Sequence, residues 1–208
     1  MVNLLVPRNI EGRKEKLKQM NIKLLSQEVI HGDLYLDESF MDIDAKFVKL
    51  KKVNGVVWLK GGQWTEIPAW LKDVEIKESF HCSFNKLTTL KNCPHKIKGY
   101  VDCQYNQLTS LEGSPETVGG SFWCYNNQLT SLEGSPETVG ENFSCSNNKL
   151  VSLEGCPETI GEYFSCSHNE LTSLEGCPEN IGGNFLCYNN KVKLKLPNYV
   201  KLEGKFIN

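Results

Sequence analysis

The chain is predicted to be a repeat solenoid, mainly β, in which each coil adds one short strand to a parallel sheet. Three observations predict this. Cys82, Cys103, Cys124, Cys145, Cys166 and Cys187 stand 21 residues apart, and a constant interval marks one structural unit copied head to tail. Around each lies the frame F-x-C-x-x-N-x-L-x-x-L-x-G-x-P-x-x-I-G, which the copies from Val101, Phe122, Phe143 and Phe164 follow closely. The positions between frame residues vary, as a stack with a fixed core and a free surface requires.

The elements follow in order. Residues 1–29 are expected to form a helical cap over the open end of the solenoid. Asn9 is placed to cap a helix ending between Lys18 and Gln27, with Ile10, Leu17, Met20, Leu24 and Leu25 on one side. Gly12 weakens its first turn, and Arg8, Arg13, Lys14, Lys16, Lys18 and Lys23 make it basic. A membrane-surface or partner-binding helix is the alternative role. The solenoid spans 30–208, with about eight units and a closing strand. Ile30-x-Gly32-x-Leu34-x-Leu36 and Val53-x-Gly55-x-Val57-x-Leu59 match Ile97-x-Gly99-x-Val101-x-Cys103. These early units are 23 residues long, with Trp64, Ile67, Trp70 and Leu71 in place of the leucines. Leu202-x-Gly204-x-Phe206 falls in register with Ile181 and Phe185 and predicts the last strand.

Within a unit, Phe and Cys sit two apart, so both point to one side of a strand. The Asn column (Asn85, Asn106, Asn127, Asn148, Asn169, Asn190) is expected to bond backbone groups of its own coil and the next. Leu108, Leu129, Leu150 and Leu171 turn inward. Pro115, Pro136, Pro157 and Pro178 keep the return path extended. The glycines near Gly119, Gly140, Gly161 and Gly182 are expected to relax the backbone before the next strand.

This frame resembles the leucine-rich repeat, L-x-x-L-x-L-x-x-N-x-L, with Phe and Cys in two of the strand leucine positions. The segment LTSLEGSP is similar to the LTSLPELP segment of short bacterial repeats in secreted effector proteins, with one more residue per unit and the first proline missing. The SLEGCP and xxCxxN pattern also resembles uncharacterised repeat proteins of large tailed bacteriophages. The resemblance covers most of the chain. It implies a right-handed superhelix with a curved parallel sheet whose concave strand side carries the binding residues. It further implies a phage or bacterial accessory protein that blocks a host or defence protein. The ubiquitin-ligase domain of some effectors is not implied, because no cysteine follows Cys187.

Composition narrows the function. The 208 residues suit one monomeric domain. No apolar run reaches membrane-spanning length, and MVNLLVPRNIEGRKEK lacks the pattern of a secretory signal. A cytoplasmic location, in the producing or infected bacterial cell, is therefore expected. The nine cysteines form two columns, without C-x-x-C and without histidine. They read as buried free thiols in a reducing compartment, with no metal and no cofactor. Net charge is −2, yet residues 97–190 hold two lysines and twelve acids. Most of those acids are two columns: Glu112, Glu133, Glu154, Glu175 and Glu116, Glu137, Glu158, Glu179. They read as a solubilising face or as an acidic strip that mimics nucleic acid toward a basic partner. Direct nucleic-acid binding is not expected, because the strip repels phosphates.

The outward columns of the strand side carry the candidate site. Phe84, Tyr105, Trp123 and Tyr125 fall on adjacent coils and predict an aromatic patch, with His81, Asp102, Gln104, Gln107 and Asn126 around it. Leu186 and Tyr188 predict a smaller anchor across a serine-rich stretch. Exposed aromatics ringed by polar groups fit a protein-interaction hot spot, and simple cross-strand stabilisation is the competing explanation. Catalytic residues are not expected: His168, Glu170 and Ser165 share a shallow face without a pocket. The expected function is non-enzymatic binding of a bacterial protein. The alternative is glycan binding by Trp123, Tyr125, Asn126 and Gln128.

Overall fold

A computed structural model describes residues 10–208. Asn9 and Arg8, assigned above to the cap and the basic face of the helix, lie outside the described residues. The chain is a parallel β-solenoid of nine coils preceded by one helix. Nine strands, from Leu34–Leu36 through Phe122–Trp123 to Phe206–Ile207, form one continuous sheet. Each pairs in register with the equivalent residues of its neighbours, so Phe122 faces Val101 on one side and Phe143 on the other. The predicted eight units and closing strand account for all nine.

The return path is more regular than the sequence suggested. It carries a second ladder of two-residue strands, four in one sheet (Val29–Ile30 to Lys96–Ile97) and five in another (Thr117–Val118 to Lys201–Leu202). A corner separates each from the next strand of the large sheet, and it contains glycine in every coil but the one with Lys77, Glu78 and Ser79. At that corner a Cβ on Gly140 would overlap the carbonyl oxygen of Gly119, and one on Gly161 would overlap that of Gly140. The column is glycine because successive coils touch there, which corrects the expectation of a relaxed backbone.

The interior is a set of stacked columns. Phe122, Phe143, Phe164 and Phe185 are fully buried, with ring centroids 5.8, 5.8 and 4.7 Å apart in succession. Burying each such ring stabilises the fold by about 1.5–3 kcal/mol. The six periodic cysteines are also fully buried, and all nine cysteines are free. The thiols of Cys103, Cys124 and Cys145 donate weak hydrogen bonds to the next coil, Cys103 Sγ to the Trp123 carbonyl at 3.3 Å. Burial pushes these thiols up in pKa, that of Cys187 to about 12.

The asparagine column satisfies the turn that ends each strand. Asn127 Oδ1 accepts from the Leu108 amide at 3.0 Å, and its Nδ2 donates to the carbonyls of Cys124 and Cys103 at 3.0 and 3.1 Å. The bridge therefore runs to the preceding coil, not the next as expected.

The helix spans Ile10–Leu25 and docks on the short 3-10 turn Glu38–Phe40 of the first coil. Its docked face keeps Leu24 and Leu25 of the predicted one, both against the core, and differs at Leu17 and Met20. Leu17 and Met20 are 43% and 60% exposed, whereas Leu25 and Asn21 are buried. Asn21 Nδ2 donates to Ser39 Oγ at 2.7 Å. At 100° per residue, Asn21, Ile22 and Leu25 centre the docked face, Leu17 stands at its margin and Met20 faces outward.

Candidate interaction surface

Two aromatic groups lie on the outward side of the large sheet. The first follows the ladder column Tyr35, Trp58, His81, Asp102, Trp123. Trp58 stacks on His81 with centroids 3.5 Å apart and planes within 6°, and Tyr35 stacks on Trp58 at 6.3 Å. Tyr100 joins the group from the corner, edge-on to His81 at 4.9 Å and tilted against Trp123 at 5.0 Å. Lys60 lays its ammonium over the rings of Tyr35 and Trp58, at 4.6 and 5.1 Å.

The second group sits where the strand turns. Phe84 and Tyr105 stack with centroids 4.6 Å apart and planes within 11°, and Tyr105 meets Tyr125 edge-on at 5.8 Å. Both have left-handed backbones, φ 54° at Phe84 and 50° at Tyr105. The column continues with Asn126, Asn147, His168 and Asn189, at φ 53–55°. Asparagine and histidine tolerate this conformation, and bulky aromatics are outliers in it. The Asn-rich column was the signal for a left-handed turn, and Phe84 and Tyr105 are its exceptions.

The predicted residues are therefore placed as follows. Phe84 is 62% exposed and Tyr105 46%. Trp123, Tyr125, Gln104 and Asn126 are half-buried on the same side. Leu186 is half-buried and Tyr188 exposed, three coils further on. His81 and Asp102 are buried, which corrects their expected position at the rim. The Trp58 ring covers His81, and Tyr100 OH bonds its Nε2 at 2.7 Å. Asp102 Oδ2 faces His81 Nδ1 at 3.3 Å and accepts from Ser83 Oγ at 3.0 Å and Gln104 Nε2 at 3.2 Å. This network supports the surface from beneath. Tyr35, Trp58, Lys60 and Tyr100 were missed. The early register already put Tyr35 and Trp58 in the His81 column, and Tyr100 lies one residue before the strand positions considered.

His168, Glu170 and Ser165 are not brought together. Glu170 pairs with Lys191 at 3.3 Å, His168 meets Asn189 and Tyr188, and Ser165 bonds Ser146 at 2.6 Å. Among the described residues, no group of His, Cys, Asp and Glu is arranged to hold a metal ion, and no helix is long and apolar enough to cross a membrane. The eight glutamates of the two columns are all exposed and make no ion pair among the described residues. No protein-family model matches the chain, and no curated protein or solved structure matches it significantly.

Proposed function

We propose that the chain is a non-enzymatic scaffold that holds a partner protein on the outward side of its large sheet. The observation that carries this is the left-handed backbone at exposed Phe84 and Tyr105. A left-handed backbone costs a residue with a Cβ roughly 1–2 kcal/mol, and the same column uses asparagine at three later coils. The turn geometry alone favours asparagine at 84 and 105. Aromatic rings kept there at a cost, and kept wet, are what a recognition surface needs.

The leucine-rich-repeat resemblance belongs to this proposal. With it comes the role of a monomeric phage or bacterial accessory protein that acts in the cytoplasm on a bacterial host or defence protein. A catalytic role has less support, because Asp102, the acceptor for Ser83, is buried and its Oδ2 is shared with His81 and Gln104. Sugar stacking has less support too. Of the rings it would use, Trp123 is half-buried with Tyr100 tilted against it, and Tyr125 is half-buried and meets Tyr105 edge-on.

The test is affinity capture from bacterial lysate with the wild type, a Phe84→Asn/Tyr105→Asn variant and a Trp123→Ala/Tyr125→Ala variant. One stoichiometric protein, lost with the variants while their melting temperatures stay near wild type, is expected. Equal capture by all three proteins sinks the assignment of this surface.

A further inference from the structure

We propose that the gap at Gly61 is a slot for an arginine side chain of the partner, which rests on the protein-binding reading above. The pairings Leu36↔Leu59, Trp58↔His81 and His81↔Asp102 put Glu38, Gly61, Phe84 and Tyr105 in one column on successive coils. Glu38 and Phe84 are thus two coil spacings apart, about 9.6 Å, and over Gly61 the Glu38 side chain itself comes nearest, its Cγ and Cδ 3.5 and 3.9 Å from where a Cβ would stand. The floor is the backbone of Gly61 and Gly62, at φ +105° and +68°.

The two walls differ in chemistry. On one side Glu38 reaches over the gap: a Cβ built on Gly61 would stand 3.4 Å from Glu38 Oε1. Lys14 and Lys18 line a cavity with Glu38, but neither forms an ion pair with it among the described residues. Lys60, one residue before Gly61, has its ammonium on the Tyr35 and Trp58 rings instead. On the other side stands the Phe84 ring. Tyr105 covers one of its faces, and no ring or cation covers the other among the described residues. Gly62 closes the corner, its would-be Cβ 3.3 Å from the Phe84 carbonyl oxygen.

A carboxylate opposite an open aromatic face, one side chain apart, selects a flat cation. Guanidinium stacks on a ring and donates to a carboxylate with the same group. An ammonium is more strongly hydrated and has no face to stack. A neutral ring or sugar leaves the carboxylate without a counter-charge.

The test is an NMR titration of the full chain with Nα-acetyl-arginine amide at low salt, following backbone amide resonances. Saturable shifts centred on Gly61, Gly62 and Phe84 are expected. Nα-acetyl-lysine amide and the neutral citrulline amide should not reproduce them. Glu38→Gln should weaken binding roughly tenfold, and Phe84→Asn should abolish it, with both variants melting near wild type. No saturable shift, equal shifts from the lysine compound, or the same shifts from N-acetylglucosamine would each overturn the slot. Lysate capture separates this from the broader reading: a partner lost with Phe84→Asn/Tyr105→Asn but retained at full affinity by Glu38→Gln removes the slot and leaves the protein-binding surface standing.

Discussion

Phe84 lies against Tyr105 with ring centroids 4.6 Å apart, and both backbones hold the left-handed turn that Asn126, Asn147 and Asn189 occupy on later coils. Two opposing effects meet in this pair. Relief of the turn strain by asparagine is worth about 1 kcal/mol per residue, and the lost ring stacking costs about 0.5–1.5 kcal/mol. Phe84→Asn/Tyr105→Asn should therefore unfold in urea within about 1.5 kcal/mol of wild type. A loss well beyond that would show that the rings hold the fold.

The asparagine column should behave in the opposite way. Asn127 is buried and joins two coils through its amide. Asn127→Ala leaves the Leu108 amide and two carbonyls without their partner, at a cost of roughly 3 kcal/mol. Denaturant unfolding measures it. A change below about 1 kcal/mol would mean that water replaces the amide without penalty.

Glycine corners give a paired comparison. Gly161→Ala forces a methyl group into the carbonyl of Gly140 and should destabilise the chain by more than about 3 kcal/mol. Gly32, whose Cβ would meet nothing within 4 Å, should accept alanine with a change within about 1 kcal/mol. Similar melting temperatures for the two variants would count against contact between coils at the corner.

Alkaline pH should unfold the protein cooperatively. Burial raises the thiol of Cys187 from an ordinary value of 9.0 to about 12, and those of Cys82, Cys103 and Cys124 also rise for the same reason. In the unfolded chain these thiols ionise near 9, while in the fold they keep their protons. The stability they contribute is thus complete below pH 9 and is lost as pH climbs toward 12. Each thiol adds a slope of about 1.4 kcal/mol per pH unit in that window. Circular dichroism between pH 8 and 12 follows the transition; a spectrum unchanged at pH 12 would refute it.

The repeat was legible because the cysteine interval exposes every coil at once, down to the closing strand at Phe206. The second ladder was not. Strands of two residues, such as Thr117–Val118, are too short to show an alternating pattern. Of the candidate surface, Phe84, Tyr105, Trp123 and Tyr125 were legible from the columns. The burial of His81 was not, because register gives its column neighbour Trp58 but not the ring stacking, nor the Tyr100 contact from the corner, that cover it. On the helix, spacing gave Leu24 and Leu25 but not the exposure of Leu17 and Met20, because a polar contact, Asn21 with Ser39, shares the docked face and hydrophobic spacing does not report it.

The corner glycines make distance along the molecule a counted quantity. Because coils touch at Gly119, Gly140, Gly161 and Gly182, the stack has no slack to stretch or compress. Tyr125 and Tyr188 are three whole coils apart, and gain or loss of one unit moves them by a single step of about 4.8 Å. Whatever spans those two points is measured in integers, and a family of such chains would change its reach by jumps.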